Sequence, residues 1–186
     1  MKKNIFLFIS LLFCFSCQQN STPTPFSGSP KYQTTDPARL YFNNIRSIAY
    51  YKTRKPPSEI DIYQLKKKAQ AVDRPIIHPI IVDNWLANEA YLFLEKNDFR
   101  QFFAPLTIKI EQDTSNPIFE IDVFNKSNQY DFAATIYEAL KARQTITVKD
   151  KEGQFIPILE NYQDKSNFMI TMTDYFRLID VDRKRK

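Results

Sequence analysis

LTIKIE at residues 106–111, QDTSNP at 112–117 and IFEIDV at 118–123 form the stretch whose reading decides the fold class. Leu106, Ile108 and Ile110 alternate with Thr107, Lys109 and Glu111, and Phe119, Ile121 and Val123 alternate with Glu120 and Asp122. A period of two puts apolar side chains on one face of a strand, so the stretch predicts an antiparallel hairpin with one wet face, turning over Asp113–Asn116. Downstream, Asp131 opens a helix whose Phe132, Ile136, Ala139 and Leu140 share a stripe. Ile146 and Val148 begin another hairpin. Its loop, Asp150–Gly153, places a glycine where a positive φ is wanted. Phe168–Thr173 reads as a further strand, and Tyr175–Val181 as its continuation or a short final helix.

Upstream, Asp36 before Pro37 is a helix-start signal, and Tyr41, Ile45, Ile48 and Ala49 recur at helical spacing, predicting a helix over Pro37–Tyr51. Ser58 with Asp61 has the form of a capping box for a second helix to Ala71, with a strand over Ile60–Leu65 as the competitor. Ile76–Val82 is β-branched, but Pro75 and Pro79 lack ladder donors, which points to an edge strand. In Asn84–Glu95, Trp85, Leu86, Ala90 and Leu94 suit a helix while Tyr91–Leu94 suits a buried strand; the strand, paired with the preceding one across Asp83 and Asn84, is preferred, and Asp98 caps a helical turn through Phe103. The expected architecture is α+β: N-terminal helices, then a mainly antiparallel sheet in the order ββαβββ, with one helix packed on the sheet. It forms a single globular domain over residues 32–182.

The chain has 186 residues, of which 43% are hydrophobic, including 16 Phe and 10 Tyr, enough for a real core. Only 2 Gly, 1 His and 2 Cys are present, and that removes whole chemistries. Gly153 is the lone glycine beyond residue 28, so neither a phosphate-cradling loop nor a glycine-flanked serine elbow can be written. Zinc prefers His and Cys, and the domain offers only His78, whose place inside an apolar run reads as structural. Carboxylate pairs exist in Glu120 with Asp122, Asp180 with Asp182, and Glu95 with Asp98, but same-strand pairs are usually a solvated face. Asp113–Asn116 lacks calcium-loop spacing, and Asn125-Lys126-Ser127 matches a glycosylation sequon by coincidence. No catalytic residue, metal site, cofactor or nucleotide is expected.

Lys2 and Lys3 precede an apolar run from Ile5 to Phe15, too short to cross a bilayer, which takes about 20 apolar residues. Ser16 then stands directly before Cys17, with Cys14 and Phe15 in the two places before that. In this charged start, apolar run and small residue before cysteine, residues 1–20 resemble the signal peptides of bacterial lipoproteins. The resemblance implies a signal peptide over residues 1–16, acyl chains such as palmitate on Cys17, and a membrane-anchored protein of the cell envelope. Gln18 after the cysteine, where an Asp would imply inner-membrane retention, leans toward the outer membrane over the inner. No cysteine follows Cys17, so the domain is held by its core without disulfides. Residues 17–31, rich in Ser, Thr, Pro and Gln, read as a disordered tether.

The net charge of +5 is unevenly placed. Residues 31–80 hold ten Lys and Arg against four acids, residues 81–182 ten against seventeen, and a basic tail, Arg183–Lys186, closes the chain. Such a dipole could orient the molecule on anionic headgroups or dock a charged partner; solvated lysines beside prolines are the plainer reading. An exported location argues against nucleic acid as partner. The expected binding face is Tyr41, Arg46, Tyr50, Tyr51, Lys52, Arg54, Lys55 and Trp85, because Tyr and Trp carry much interface energy and the first helix leads into basic residues. The expected function is a non-enzymatic envelope lipoprotein, a protein-binding accessory subunit of an envelope assembly. A binding module for a glycan or lipid is the alternative, and a carboxylate-dependent hydrolase the second.

Overall fold

The computed structural model describes residues 32–57, 59–68, 74–97, 106–111, 117–121 and 125–179. The lipoprotein-type segment, Cys17, the tether, the 98–103 turn, Asp113–Asn116, the 180/182 pair and the basic tail lie outside the described residues. The order is α1 (Asp36–Tyr41), a π-helical turn (Phe42–Arg46), a 3-10 turn (Ser47–Ala49), β1 (Tyr50–Lys55), β2 (Ile60–Leu65), β3 (Ile77–Asn84), β4 (Glu89–Lys96), β5 (Leu106–Glu111), β6 (Ile118–Ile121), α2 (Lys126–Lys141), β7 (Thr145–Lys149), β8 (Phe155–Ile158) and α3 (Tyr162–Leu178). The class is α+β, with two antiparallel four-stranded sheets ordered β1-β2-β3-β4 and β6-β5-β7-β8.

The expected hairpins form. Leu106 pairs with Ile121 and Ile108 with Phe119, and Leu106, Ile108 and Ile110 are buried. Gly153 takes φ +85, and the Asp150 carboxylate accepts from the amides of Glu152 (2.9 Å) and Gln154 (2.8 Å), closing the β7–β8 turn. β4 pairs with β3 around a turn at residues 85–88, one step beyond the expected one.

Five expectations are corrected. The first helix stops as regular α-helix at Tyr41, continues through the π and 3-10 turns, and gives way to strand, so Tyr50 and Tyr51 belong to β1. The second helix is the strand β2, because Asp61, Tyr63 and Leu65 face the core in alternation, a period a helix cannot satisfy. β3 is an interior strand. Leu94, opposite Pro79, sends its amide outward to Gln129, so in an antiparallel ladder the Pro79 nitrogen faces the β2 side, beyond the last β2–β3 pair, Tyr63–Ile81. A missing donor costs nothing there.

Phe168–Thr173, expected as strand, lies inside α3, whose buried Phe168, Met172, Tyr175 and Phe176 recur at helical spacing; the order after β4 is therefore ββαββα. Asn161 caps α3 by accepting from the Asp164 amide at 2.8 Å. α2 begins at Lys126, capped by Asn125 rather than opened by Asp131.

The two long helices position the sheets. α2 lies between β4 of the first sheet and β6 and β7 of the second, while α3 packs on β3, β4 and α2. Gln129, buried on α2, accepts from the Leu94 amide at 2.8 Å, and Gln33 bridges to Glu89, so the β4 edge is covered. The first sheet thus has its available edge at β1. A cluster of Phe42, Tyr50 and Tyr63, with Phe42 and Tyr63 edge to face at 5.0 Å, locks the π turn onto β1 and β2.

Candidate functional site

The π turn, β1 and α3 meet at Asp174. Its carboxylate, 2% exposed as a residue, accepts from Arg46 Nε at 2.7 Å and Arg46 Nη2 at 3.0 Å, a forked pair, and from the Tyr50 hydroxyl at 2.7 Å. Burial pushes the Tyr50 hydroxyl far above the usual tyrosine range, and the Asp174 charge adds to it. Hydrogen bonding to Asp174 holds the Arg46 guanidinium up as well. Arg46 and Tyr50, expected on a binding face, are therefore joints of the fold, and Tyr50 is buried.

Lys52 and Arg54 also pair with a buried acid while keeping about half of their side chains exposed. On β1 they lie opposite Tyr63 and Asp61. Asp61, itself buried, accepts from Arg54 Nε at 2.7 Å, Arg54 Nη2 at 2.9 Å and Lys52 Nζ at 2.8 Å. Lys52 also sits 5.5 Å over the Tyr63 ring. Burial alone would raise the Asp61 carboxyl, but the two cations outweigh it and hold it below the ordinary range. Its cross-strand neighbour Asp83 goes the other way: burial pushes it up, only partly countered by Arg39 at 3.3 Å. Lys55 closes β1.

Large apolar side chains are also exposed on this side. Ile48 is 76% exposed, Tyr51 61%, Ile45 54% and Tyr41 44%. Sequence spacing marked Tyr41, Ile45, Ile48 and Ala49 as a helical stripe, with Tyr41 expected on a binding face. The structure puts Phe42 on the buried side of this segment, with Arg46 and Ala49 partly covered, and turns Tyr41, Ile45 and Ile48 to water. Tyr51 follows on the open edge strand, with Lys66 5.8 Å over its ring and Lys66 Nζ on the Ile48 carbonyl at 2.8 Å. Ile48 and Tyr51 thus share one surface. Trp85 is half-exposed in the β3–β4 turn, tied to α1 where Arg39 donates to Asn88 at 2.9 Å, and belongs to that end of the domain instead.

His78 is half-buried on β3 opposite Glu95. With Gln64, Lys68, Pro79 and Thr171 these two line a small cleft beside the point where β2 stops pairing with β3. Lys68 reaches Glu95 at 3.1 Å and Gln64 Nε2 lies 3.3 Å from both Glu95 oxygens, so polar groups fill the cleft mouth. Among the described residues no group of three His, Cys, Asp or Glu side chains converges for a metal, and no helix is long and apolar enough to cross a membrane. No family model, curated protein or solved structure matches the chain.

Replacing Asp174 by Asn strips the charge from a buried site that holds a guanidinium and a phenol; urea denaturation should show a loss of about 3 kcal/mol. An unchanged midpoint would contradict the structural role. The two neighbouring acids should separate in pH. Asp61 is depressed in the fold, so its contribution is present above the unfolded pKa and lost as pH falls through the folded one; Asp61→Asn should flatten that acid limb. Asp83 is elevated, so its contribution is present below the unfolded pKa and lost as pH rises through the folded one. The stability of Asp83→Asn relative to the parent should therefore rise across that window. Denaturation curves between about pH 3 and 7 test both, around an ordinary carboxyl near 3.9.

Proposed function

We propose that the protein is a non-enzymatic envelope lipoprotein, anchored through acyl chains on Cys17, that serves as a protein-binding accessory subunit of an envelope assembly. The supporting observation is the surface of Tyr41, Ile45, Ile48 and Tyr51, four large apolar side chains turned to water while Arg46, Lys52 and Arg54 pair with buried acids. Contiguous apolar exposure rimmed by polar groups is characteristic of protein contact sites. Asn43 and Asn44 supply such a rim, both exposed on the same segment. The β1 edge adjoins this surface, so a partner could add main-chain hydrogen bonds to the apolar contact. The lipoprotein-like start and the tether composition of residues 17–31 support the anchored location, with the outer membrane favoured by Gln18.

A second reading, carboxylate-dependent hydrolysis, is favoured by one observation: Asp61 and Asp83 face each other across β2 and β3 with their acidities pushed apart. It ranks second because both residues are at most 3% exposed and Asp61 already accepts three hydrogen bonds.

Metabolic labelling with a clickable palmitate should mark the parent chain and fail with Cys17→Ala. Crosslinking and recovery from detergent-solubilised envelopes should return a discrete partner. Its affinity should fall about 30-fold for Ile48→Asp, as for an anchor worth about 2 kcal/mol. Equal recovery with Ile48→Asp and Tyr51→Asp would overturn the docking surface.

A further inference from the structure

We infer that the end of the domain formed by Leu40 of α1 and by Trp85 and Leu86 of the β3–β4 turn seats in the interfacial layer of a lipid bilayer. The inference rests on the lipid-anchor reading above and uses a surface other than the proposed partner site. Leu86 is 63% exposed, Leu40 62% and Trp85 39%. A turn tip carrying Trp and Leu to water has no core to serve, whereas the amphipathic indole ring suits the headgroup level of a membrane.

Where the chain enters the domain selects the occupant. The Tyr32 carbonyl accepts from the Ala90 amide at 2.7 Å, Gln33 pairs with Glu89, and the Thr34 amide donates to the Asn88 carbonyl at 2.8 Å. The first described residues are thus stitched to the same turn that carries Trp85 and Leu86. Arg39 holds α1 there too, through Asn88. Fifteen Cα–Cα steps separate Cys17 from Tyr32, so an acylated Cys17 keeps this end within roughly 50 Å of the bilayer even at full stretch. Such tethering raises the effective concentration of the surface for this end above all others.

Charge contributes little to the contact. Arg39 is engaged by Asp83 at 3.3 Å and Lys126 by Glu89 at 3.6 Å, and Asp36 is exposed beside them. Seating is therefore apolar in origin and insensitive to salt or to anionic lipid.

Trp85 is the only tryptophan, so its fluorescence reports this turn alone. The acylated full chain is reconstituted in phosphatidylcholine vesicles, with and without acyl chains brominated near the headgroup. Trp85 emission should shift to the blue and be quenched by the brominated lipid, equally when phosphatidylglycerol is added. Leu86→Asp and Leu40→Asp, both at exposed positions, should restore the emission while the chain still floats with the vesicles. A floating parent chain whose Trp85 stays unquenched and open to acrylamide overturns the inference and leaves the anchor reading intact. Shielding of Trp85 in native envelopes but not in protein-free vesicles also overturns it, in favour of a protein cover. A chain that neither floats nor carries palmitate on Cys17 ends both readings together.

Discussion

The buried carboxylate of Asp174 is the joint on which the N-terminal half hangs. Three donors from two other elements converge on it, the forked guanidinium of Arg46 from the π turn and the hydroxyl of Tyr50 from β1. A charge this deep is tolerated only when its acceptor sites are filled, and losing one partner exposes the others to the full desolvation cost. The consequence is directional. Pinning Arg46 inward, with Phe42 one turn earlier, forces the opposite side of the same segment outward, and that side carries Tyr41, Ile45 and Ile48.

The charge asymmetry of the sequence has a related physical outcome. The basic front half and the acid-rich back half meet within the domain: Arg39 with Asp83, Arg46 with Asp174, Lys68 with Glu95, and Arg74 with Asp164. Three of these acids, Asp83, Asp164 and Asp174, are buried. Part of the charge asymmetry is thus used in pairs that hold the fold, although Lys52, Arg54 and Arg74 keep much of their side chains in water. The proposed partner face and the proposed bilayer-facing end are both drawn from large exposed hydrophobic side chains.

Much of the back half was legible, because Leu106–Ile110 and Ile146–Val148 alternate strictly and Gly153 marks its turn. The failures have specific causes. In β2 a capping-box look-alike suggested helix, whereas a two-residue alternation ran through Asp61, Tyr63 and Leu65. In α3 the local run Met169–Thr173 has β propensity, and the longer helical period of Phe168, Met172, Tyr175 and Phe176 overrode it. At the candidate site, Tyr51 is exposed, Tyr50 is buried, Arg46 is partly covered, and Lys52 and Arg54 stay about half exposed while pairing with buried Asp61. The partner of Arg46 and Tyr50, Asp174, lies up to 128 residues away, and no local pattern could name it. That Ile45 and Ile48 join Tyr41 on the outside was equally hidden, since spacing shows that residues share a face but not which way it points.

The outward stripe of Tyr41, Ile45 and Ile48 is proposed as a contact surface for another envelope protein. Site-specific photocrosslinking in intact cells tests it most directly, with a benzophenone amino acid at position 48 and, as a control, at position 162, whose Tyr162 is 84% exposed on α3. The account predicts one discrete heavier species from position 48 and none from position 162. Identical crosslinking at the two positions, or none from position 48, would contradict it.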